Sequence, residues 1–110
     1  MANTFKNALS AGIGTGATIV YTAGSGVTAT IIGCTVANIS SAQITATVTI
    51  TDTSGTVTSH IVKNAPIPVG RSLVAIGGDH KIVLETTDKI TVTSSASSSI
   101  DAIVSVLEIT

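Results

Sequence analysis

The amino-acid sequence predicts an all-β protein: an antiparallel β-sandwich of jelly-roll or Greek-key type, with about eight strands and an extended N-terminal arm. From Ala17 onward, apolar and polar residues alternate with a period of two, as in half-buried strands. Turn-like stretches rich in Gly, Ser, Thr, Asp or Pro separate these segments at regular intervals. No segment combines helical spacing with helix caps. Short, regularly spaced strands of this kind are typical of sandwiches.

The length and composition predict one domain with an aliphatic core. The chain has 110 residues, of which we assign 1–16 to the arm and 17–110 to the sandwich. Aromatic residues make up 2% of the chain, with Phe5 and Tyr21 as the large rings, and charged residues make up 10%. Val, Ile, Leu and Ala must therefore supply the core. Because such a core is thin, we expect partner subunits to bury further surface.

The arm, residues 1–16, is rich in Gly, Ala and Asn. Its "GIGTG" stretch places glycine at alternate positions, but a dinucleotide fingerprint needs a strand before the glycines and a helix after them. No strand clearly precedes this stretch, and the β-branched "ATIVYTA" that follows does not favour a helix. We interpret the segment as a flexible arm that lies across a neighbouring subunit. Deleting residues 2–16 should then leave the fold intact.

Eight strands are predicted after the arm, at residues 17–23, 27–38, 43–52, 56–63, 71–77, 81–85, 89–94 and 100–109. In "QITATVTITD", the residues at 44, 46, 48 and 50 are apolar and those at 45, 47, 49 and 51 are threonine. Threonine suits a solvent-facing strand position because its branched Cβ fits the pleat and its hydroxyl meets water. "KITVTS" repeats the pattern, and "TDTSGTV" reads as a hairpin turn.

The stretch "KNAPIPVGRSL", residues 63–73, contains both prolines and two of the five cationic side chains. Proline cannot donate to a ladder, so Pro66 and Pro68 exclude a central strand there. We predict a corner that carries the chain from one sheet to the other, with Gly70 in the turn. A second interpretation is that Lys63 and Arg71 make this rigid corner a docking surface.

The last strand, "AIVSVLEI", is apolar on both faces except at Ser105 and Glu108. Such a strand either lies centrally, covered on both sides, or presents its outer face to another subunit. We favour the interface.

Charge and hydropathy exclude several classes of protein. The net charge is −1 and the cations are scattered, whereas nucleic-acid binding needs a clustered basic face. Apolar runs are too short for a transmembrane helix, and the first residues lack the apolar region of a signal peptide. Cys34 is the single cysteine, so no intrachain disulfide is possible, and its strand-like flanks predict a buried, inert thiol.

The polar residues do not predict an enzyme. The candidates for catalysis are Asp52, His60, Asp79, His80, Glu85 and Asp88. Two histidines and one cysteine are too few for a zinc site, and "DTSG" lacks the further oxygen ligands of a calcium loop. No G-x-S-x-G motif exists, and we expect no catalytic residue, no metal and no cofactor. "NIS" at 38–40 fits a glycosylation acceptor, but without a secretory signal it carries little weight.

Five stretches that cover most of the sandwich carry a resemblance. They are "TIVYTAGSGVTATIIGCTVAN" (18–38), "ITATVTITDTSG" (44–55), "HIVKNAPIPVGRSLV" (60–74), "KIVLETTDKITVTSS" (81–95) and "VSVLEI" (104–109). In their order, the chain resembles small all-β virion proteins of tailed bacteriophages, particularly those of cyanobacterial phages. The resemblance implies a virion component, which in such proteins is a head decoration or cement protein, a neck or tail component, or part of a fibre.

The expected role is a head decoration protein, assembled into the virion in the host cytoplasm. We expect a homotrimer bound to the major capsid protein or another virion protein. The residues expected to contact partners are Phe5, Lys6, Lys63, Pro66, Pro68, Arg71, Ile103, Leu107 and Ile109. The alternatives are a tail, neck or fibre-base component, or a carbohydrate- or receptor-binding module with Tyr21 as its ring.

Overall fold

A computed structural model describes residues 3–53, 56–77, 79 and 81–110. The described residues form nine β-strands: β1 (Asn3–Ile13), β2 (Thr18–Thr22), β3 (Thr28–Asn38), β4 (Ile44–Asp52), β5 (Val57–Ile67), β6 (Ser72–Ile76), β7 (Ile82–Leu84), β8 (Lys89–Ser94) and β9 (Ile100–Ile109). Strands β2 to β9 confirm the eight that the sequence predicts. Within the described ranges there is no helix long and apolar enough to cross a membrane.

The strands form two antiparallel sheets in a jelly roll. One sheet has the order β1-β9-β3-β6, with β7 also paired to β3, and the other has the order β2-β8-β4-β5. The pairs β1·β9, β2·β8, β3·β6 and β4·β5 are those of one long hairpin folded across the two sheets. Apart from the short extra strand β7, this is the eight-stranded double Greek key, and it confirms the predicted fold class.

The core between the sheets is aliphatic, as the composition predicts. The buried apolar residues are Ile13, Ala23, Ala29, Ile31, Cys34, Val36, Ile44, Ala46, Val48, Ile67, Ile76, Leu84, Ile90, Val92, Ile100, Ala102, Val104 and Val106. Strand β4 shows the predicted alternation, with buried residues from Ile44 to Val48 and half-buried threonines between them. Close packing of β-branched side chains thus replaces the aromatic rings found in many sandwiches.

Residues 3–13, assigned to a flexible arm by the sequence analysis, form strand β1. It pairs with β9 from Asn3 opposite Ile109 to Ile13 opposite Ile100, and Ile13 is 2% exposed. The glycines mark the end of this strand, because Gly12 takes a φ of +66° at a bulge and donates its N–H to Asp101 Oδ1 at 3.0 Å. The physical reason for the strand is that β9 would otherwise have an unpaired edge.

The predicted sheet-crossing corner is confirmed. Strand β5 is an edge strand, which tolerates Pro66 because one side of its backbone lacks a neighbour in the sheet. The chain leaves β5 at Ile67 and enters β6 of the other sheet at Ser72. Gly70 has a φ of +72°, and the Arg71 N–H donates to the Pro68 carbonyl at 3.1 Å. The corner is therefore a tight turn between two sheets.

Asn38 holds the corner to the rest of the sandwich. It is 5% exposed, and its side-chain nitrogen donates to the carbonyl oxygens of Ala42 and Ile67, both at 2.9 Å. Its Oδ1 accepts from the Ser40 N–H and hydroxyl, both at 2.8 Å. In the motif "NIS", the nitrogen that would carry a glycan is thus buried and hydrogen-bonded, so the motif serves the fold.

Candidate interaction surface

The outer faces of the two sheets differ in chemistry. On the four-stranded sheet, threonines of β4 and β8 lie opposite one another, with Thr47 facing Thr93 and Thr49 facing Thr91. These hydroxyl-bearing pairs suit a surface in contact with water. On the five-stranded sheet, several outward positions carry large, exposed apolar side chains, and this face is the candidate interaction surface.

Two rows of side chains cross the outer face of the five-stranded sheet. In the first row the register places Phe5, Leu107, Thr30 and Val83 side by side on β1, β9, β3 and β7. In the second row it places Leu9, Ile103, Thr35 and Val74 on β1, β9, β3 and β6. Residues paired in this way point to the same side of a sheet. We call the apolar members the apolar face: Phe5, Leu9, Val74, Val83, Ile103 and Leu107.

The apolar face is open to solvent in the monomer. Phe5 is 75% exposed, Leu9 65%, Val74 62%, Val83 59% and Ile103 51%. Single exposed hydrophobic residues are ordinary, but a contiguous set is typical of a protein–protein contact. The fold therefore places five large, exposed side chains where a partner would bury them.

A shallow groove of about 310 Å³ adjoins the second row. Its lining residues are Leu9, Ser10, Ala11, Asp101, Ala102 and Ile103. The bulge that ends β1 shapes this groove, and the carboxylate of Asp101 already accepts the Gly12 N–H. With mainly apolar walls and one engaged carboxylate, the groove suits an apolar side chain.

The nine predicted contact residues form two groups of four, and Lys6 belongs to neither. Phe5, Ile103 and Leu107 belong to the apolar face, and Ile109 continues it at the end of β9. Lys6 lies next to Phe5 on the opposite side of β1. The other four, Lys63, Pro66, Pro68 and Arg71, are exposed at the corner between β5 and β6.

The corner lies at the far end of the sheet from Ile109. Ser72 pairs with Ala37 near the end of β3, whereas Ile109 pairs with Thr28 at its start. Nine residues of extended strand separate these positions, which is about 30 Å. The structure thus brings the apolar candidates together, and the corner lies far from Ile109 but close to the second row, because Val74 follows Arg71 by three residues.

Sequence reasoning missed Leu9, Val74 and Val83. Leu9 follows Phe5 by four positions in "FKNAL", which agrees with the period of two of a strand. The nearby glycines obscured this signal. Val74 and Val83 gave no such signal, because their place on this face depends on β6 and β7 both pairing with β3. Sheet order of that kind is not encoded in the local alternation.

Lys6, Glu108 and Tyr21 connect the two sheets at one end of the sandwich. Lys6 Nζ lies 3.0 Å from Glu108 Oε1, and the Tyr21 hydroxyl donates to Glu108 Oε2 at 2.5 Å. Burial and the hydrogen bond to Glu108 raise the pKa of Tyr21, while the hydrogen bonds from Tyr21 and Lys6 lower the pKa of Glu108. The ring considered as a sugar platform is therefore anchored by its hydroxyl to the opposite sheet.

The cluster of Lys6, Glu108 and Tyr21 predicts that stability depends on pH, and the absorbance of Tyr21 reports the titration of that side chain. Tyr21 is the single tyrosine of a chain without tryptophan, so the absorbance of tyrosinate titrates it alone. We expect a midpoint above the ordinary value of about 10, and Glu108→Gln should move it back toward that value. The stability that Tyr21 contributes is present below pH ~10 and is lost as the pH rises through its folded pKa.

The pH dependence of stability that Glu108 causes has the opposite sign, because folding lowers the pKa of Glu108. Its contribution is present above the ordinary glutamate pKa of about 4.3 and is lost as the pH falls through the folded value. Thermal unfolding of the natural protein and of Tyr21→Phe from neutral to acid pH measures this. An equal acid sensitivity in both proteins would contradict the coupling of Tyr21 to Glu108.

The residues considered for catalysis converge only in part within the described ranges: three carboxylates lie together, and His60 and Asp79 lie on other elements. His60 lies exposed on edge strand β5, paired with Thr49, and Asp79 lies exposed in the turn before β7. His80 lies outside the described residues. Cys34 is fully buried, which raises its pKa to about 11 and keeps the thiol protonated at neutral pH. The prediction of a buried thiol is confirmed.

Three carboxylates do lie together, those of Asp52, Glu85 and Asp88, with oxygen atoms within 4.8 Å of one another. Asp88 is 4% exposed, and its two oxygens accept the N–H groups of Thr53 at 3.2 Å and of Glu85 at 3.0 Å. Asp88 thus holds the turn before β8 against the end of β4. These two hydrogen bonds account for the burial of Asp88 without a ligand.

Comparison with known proteins establishes the fold. No family model and no curated protein matches the sequence. A subunit of Bacillus endospore appendages, which form a family of disulfide-linked pili, superposes with a TM-score of 0.58 and 14% identity, covering 98% of this chain and 88% of that one. A chain from the acidic stable capsid of Helicobacter pylori bacteriophage KHP30 superposes with a TM-score of 0.52 and 7% identity, covering 98% and 87%. At these identities the chain shares an all-β fold with both.

Proposed function

We propose that this chain is a structural component of a bacteriophage virion, and specifically a head decoration protein that binds the outer capsid surface as a homo-oligomer. The apolar face is the observation that carries the proposal, because the monomer leaves it uncovered. A protein that binds only the assembled lattice stabilises it by RT ln(1 + [L]/Kd) per site. Such a subunit needs surfaces for partners and no reaction centre.

The likeness to a capsid chain and the sequence resemblance to tailed-phage proteins support this role over that of a pilus subunit. The Bacillus appendages are disulfide-linked. This chain has a single cysteine, Cys34, which is 0% exposed in the core. With its thiol in the core, this chain offers no exposed cysteine for a disulfide between subunits. The capsid proposal requires only noncovalent contacts.

The location of the chain in particles of the source phage tests the proposal. Antibodies against the folded protein should label the whole head surface in electron micrographs, and virion gels should show many copies per particle. Heads that lack the protein should release DNA at a lower temperature, and adding the purified protein should restore the loss. Labelling of a single ring at the neck, tail or fibre base would favour that location and reject decoration. Absence from purified particles would reject a virion role altogether.

A further inference from the structure

The outer face of the five-stranded sheet has the dimensions of a stable protein interface. Four strand positions, β1, β9, β3 and β6 with β7, span about 19 Å at the usual strand spacing, and eleven-residue strands extend about 36 Å. The face therefore covers about 700 Å², close to the roughly 800 Å² per partner of a standard interface. Its open hydrophobic side chains lie at three of the four positions, on β1, on β9 and on β6 with β7, and threonines of β3 lie between them, which favours a partner that covers the whole sheet.

The chemistry of the face permits it to meet a copy of itself. The side chains of both rows are uncharged, and so are Asn7, Ser105 and Gly33, which lie in register between them. Charged residues flank this area, with Asp101 beyond the second row. Two copies brought together would bury aliphatic and hydroxyl groups without placing like charges in contact, as an interface built from identical patches requires.

The groove beside the second row adds shape to this self-complementarity. Phe5 is the most exposed of the large apolar side chains, at 75%, and lies on the same strand as the groove-lining Leu9. The groove volume of about 310 Å³ is sufficient for a phenyl ring. The face carries both a projecting ring and an apolar groove. The ring of one copy therefore complements the groove of a second copy.

We propose that the apolar face is covered by a second copy of this chain, packed sheet face against sheet face around a two-fold axis, which makes the unit a dimer in place of the trimer that the sequence analysis expects. The inference rests on the proposed function, since it names the partner of that decoration protein's uncovered surface. The capsid then contacts other parts of the oligomer. The exposed corner, residues 63–71, lies at the end of the sheet beyond Val74 and remains open for that contact.

Sedimentation of the purified full chain tests the inference, with a matched pair of variants. Ile103, in the centre of the apolar face, is 51% exposed, and Ile19, on the outer side of β2 in the other sheet, is 52% exposed. We expect the natural chain and Ile19→Lys to sediment as the same oligomer at micromolar concentration. We expect Ile103→Lys to raise the dissociation constant of that oligomer at least ten-fold, because an unpaired cation would be buried in the contact.

A second pair protects the test against a folding defect in one variant. Val74 on β6 is 62% exposed and Val57 on β5 is 55% exposed. Val74→Lys should dissociate the oligomer, and Val57→Lys should not, while circular dichroism keeps the β-sheet spectrum in all four variants. A natural chain that sediments as a monomer would overturn the proposal. An oligomer that tolerates lysine at both Ile103 and Val74 would overturn it as well.

The same samples separate this inference from the proposed function when they are mixed with heads lacking the protein. A monomer that still decorates heads refutes the second-copy interface and leaves the decoration role standing. An oligomer that dissociates as expected but never binds heads refutes decoration and leaves the interface standing.

Discussion

Deleting residues 2–13 is expected to abolish cooperative folding of the sandwich. These residues include β1, which covers one edge of β9, and Ile13, which lies in the core at 2% exposure. Without them β9 becomes an edge strand with a row of unpaired N–H and C=O groups, and the core loses a fully buried isoleucine, itself worth about 2–5 kcal/mol. We expect a chain that aggregates or unfolds without a transition in thermal circular dichroism.

A synthetic peptide of residues 2–13 provides the control for this deletion. Added to the truncated chain, it should pair with β9 and restore a cooperative transition, while a peptide with Ile13→Asp should not. If the truncated chain melts at the temperature of the full protein, then β1 contributes nothing to stability. Residues 1–16 would in that case act as the flexible arm that the sequence analysis expects.

Replacing Asn38 with alanine is expected to lower the free energy of unfolding by about 2–3 kcal/mol. The substitution removes two donors and an acceptor from a buried position and leaves the carbonyl of Ile67, itself in a residue 1% exposed, without that donor. A buried acceptor left unsatisfied costs about 1–3 kcal/mol, and the lost turn bond to Ser40 adds to it. Chemical denaturation of the purified variant measures the difference.

Two neighbouring variants identify which atoms of Asn38 matter. Ser40→Ala loses a hydroxyl at the exposed end of the same network and should cost under about 1 kcal/mol. Asn38→Asp keeps the acceptor for Ser40 but removes the donors to Ala42 and Ile67, so it should resemble the alanine variant. A stability loss in Ser40→Ala as large as in Asn38→Ala would show that the turn, and not the link to β5, dominates.

Much of the fold follows from local patterns in the sequence. The apolar and threonine positions of β4 alternate over the full strand because one side packs on the core and the other meets solvent. The two prolines placed the sheet crossing correctly, since a residue without an N–H belongs at an edge or a turn. Strand β1 was missed because its glycine and asparagine content hides a short alternation, and because its partner β9 lies about ninety residues along the chain.

The candidate surface was also predictable in part from local patterns in the sequence. Strand β9 is apolar on both faces, and this local pattern predicted Ile103 and Leu107 as contact residues. Joining them to Phe5, Val74 and Val83 required the sheet order, which arises from pairings between distant segments. The corner cations were expected at the same contact, but they lie beyond Val74, at the end of the sheet opposite Ile109.

The pairing of the first strand with the last has a consequence for the timing of assembly. Asn3 and Ile109 are partners, so β1 has nothing to hydrogen-bond within its own sheet until the ribosome has synthesised β9. Closing so long a loop is among the slower steps in folding. Phe5 and Leu9 lie on β1, and Ile103 and Leu107 lie on β9. The apolar face therefore forms only when these two strands have paired. A translation product that stops before β9 would therefore lack the apolar face.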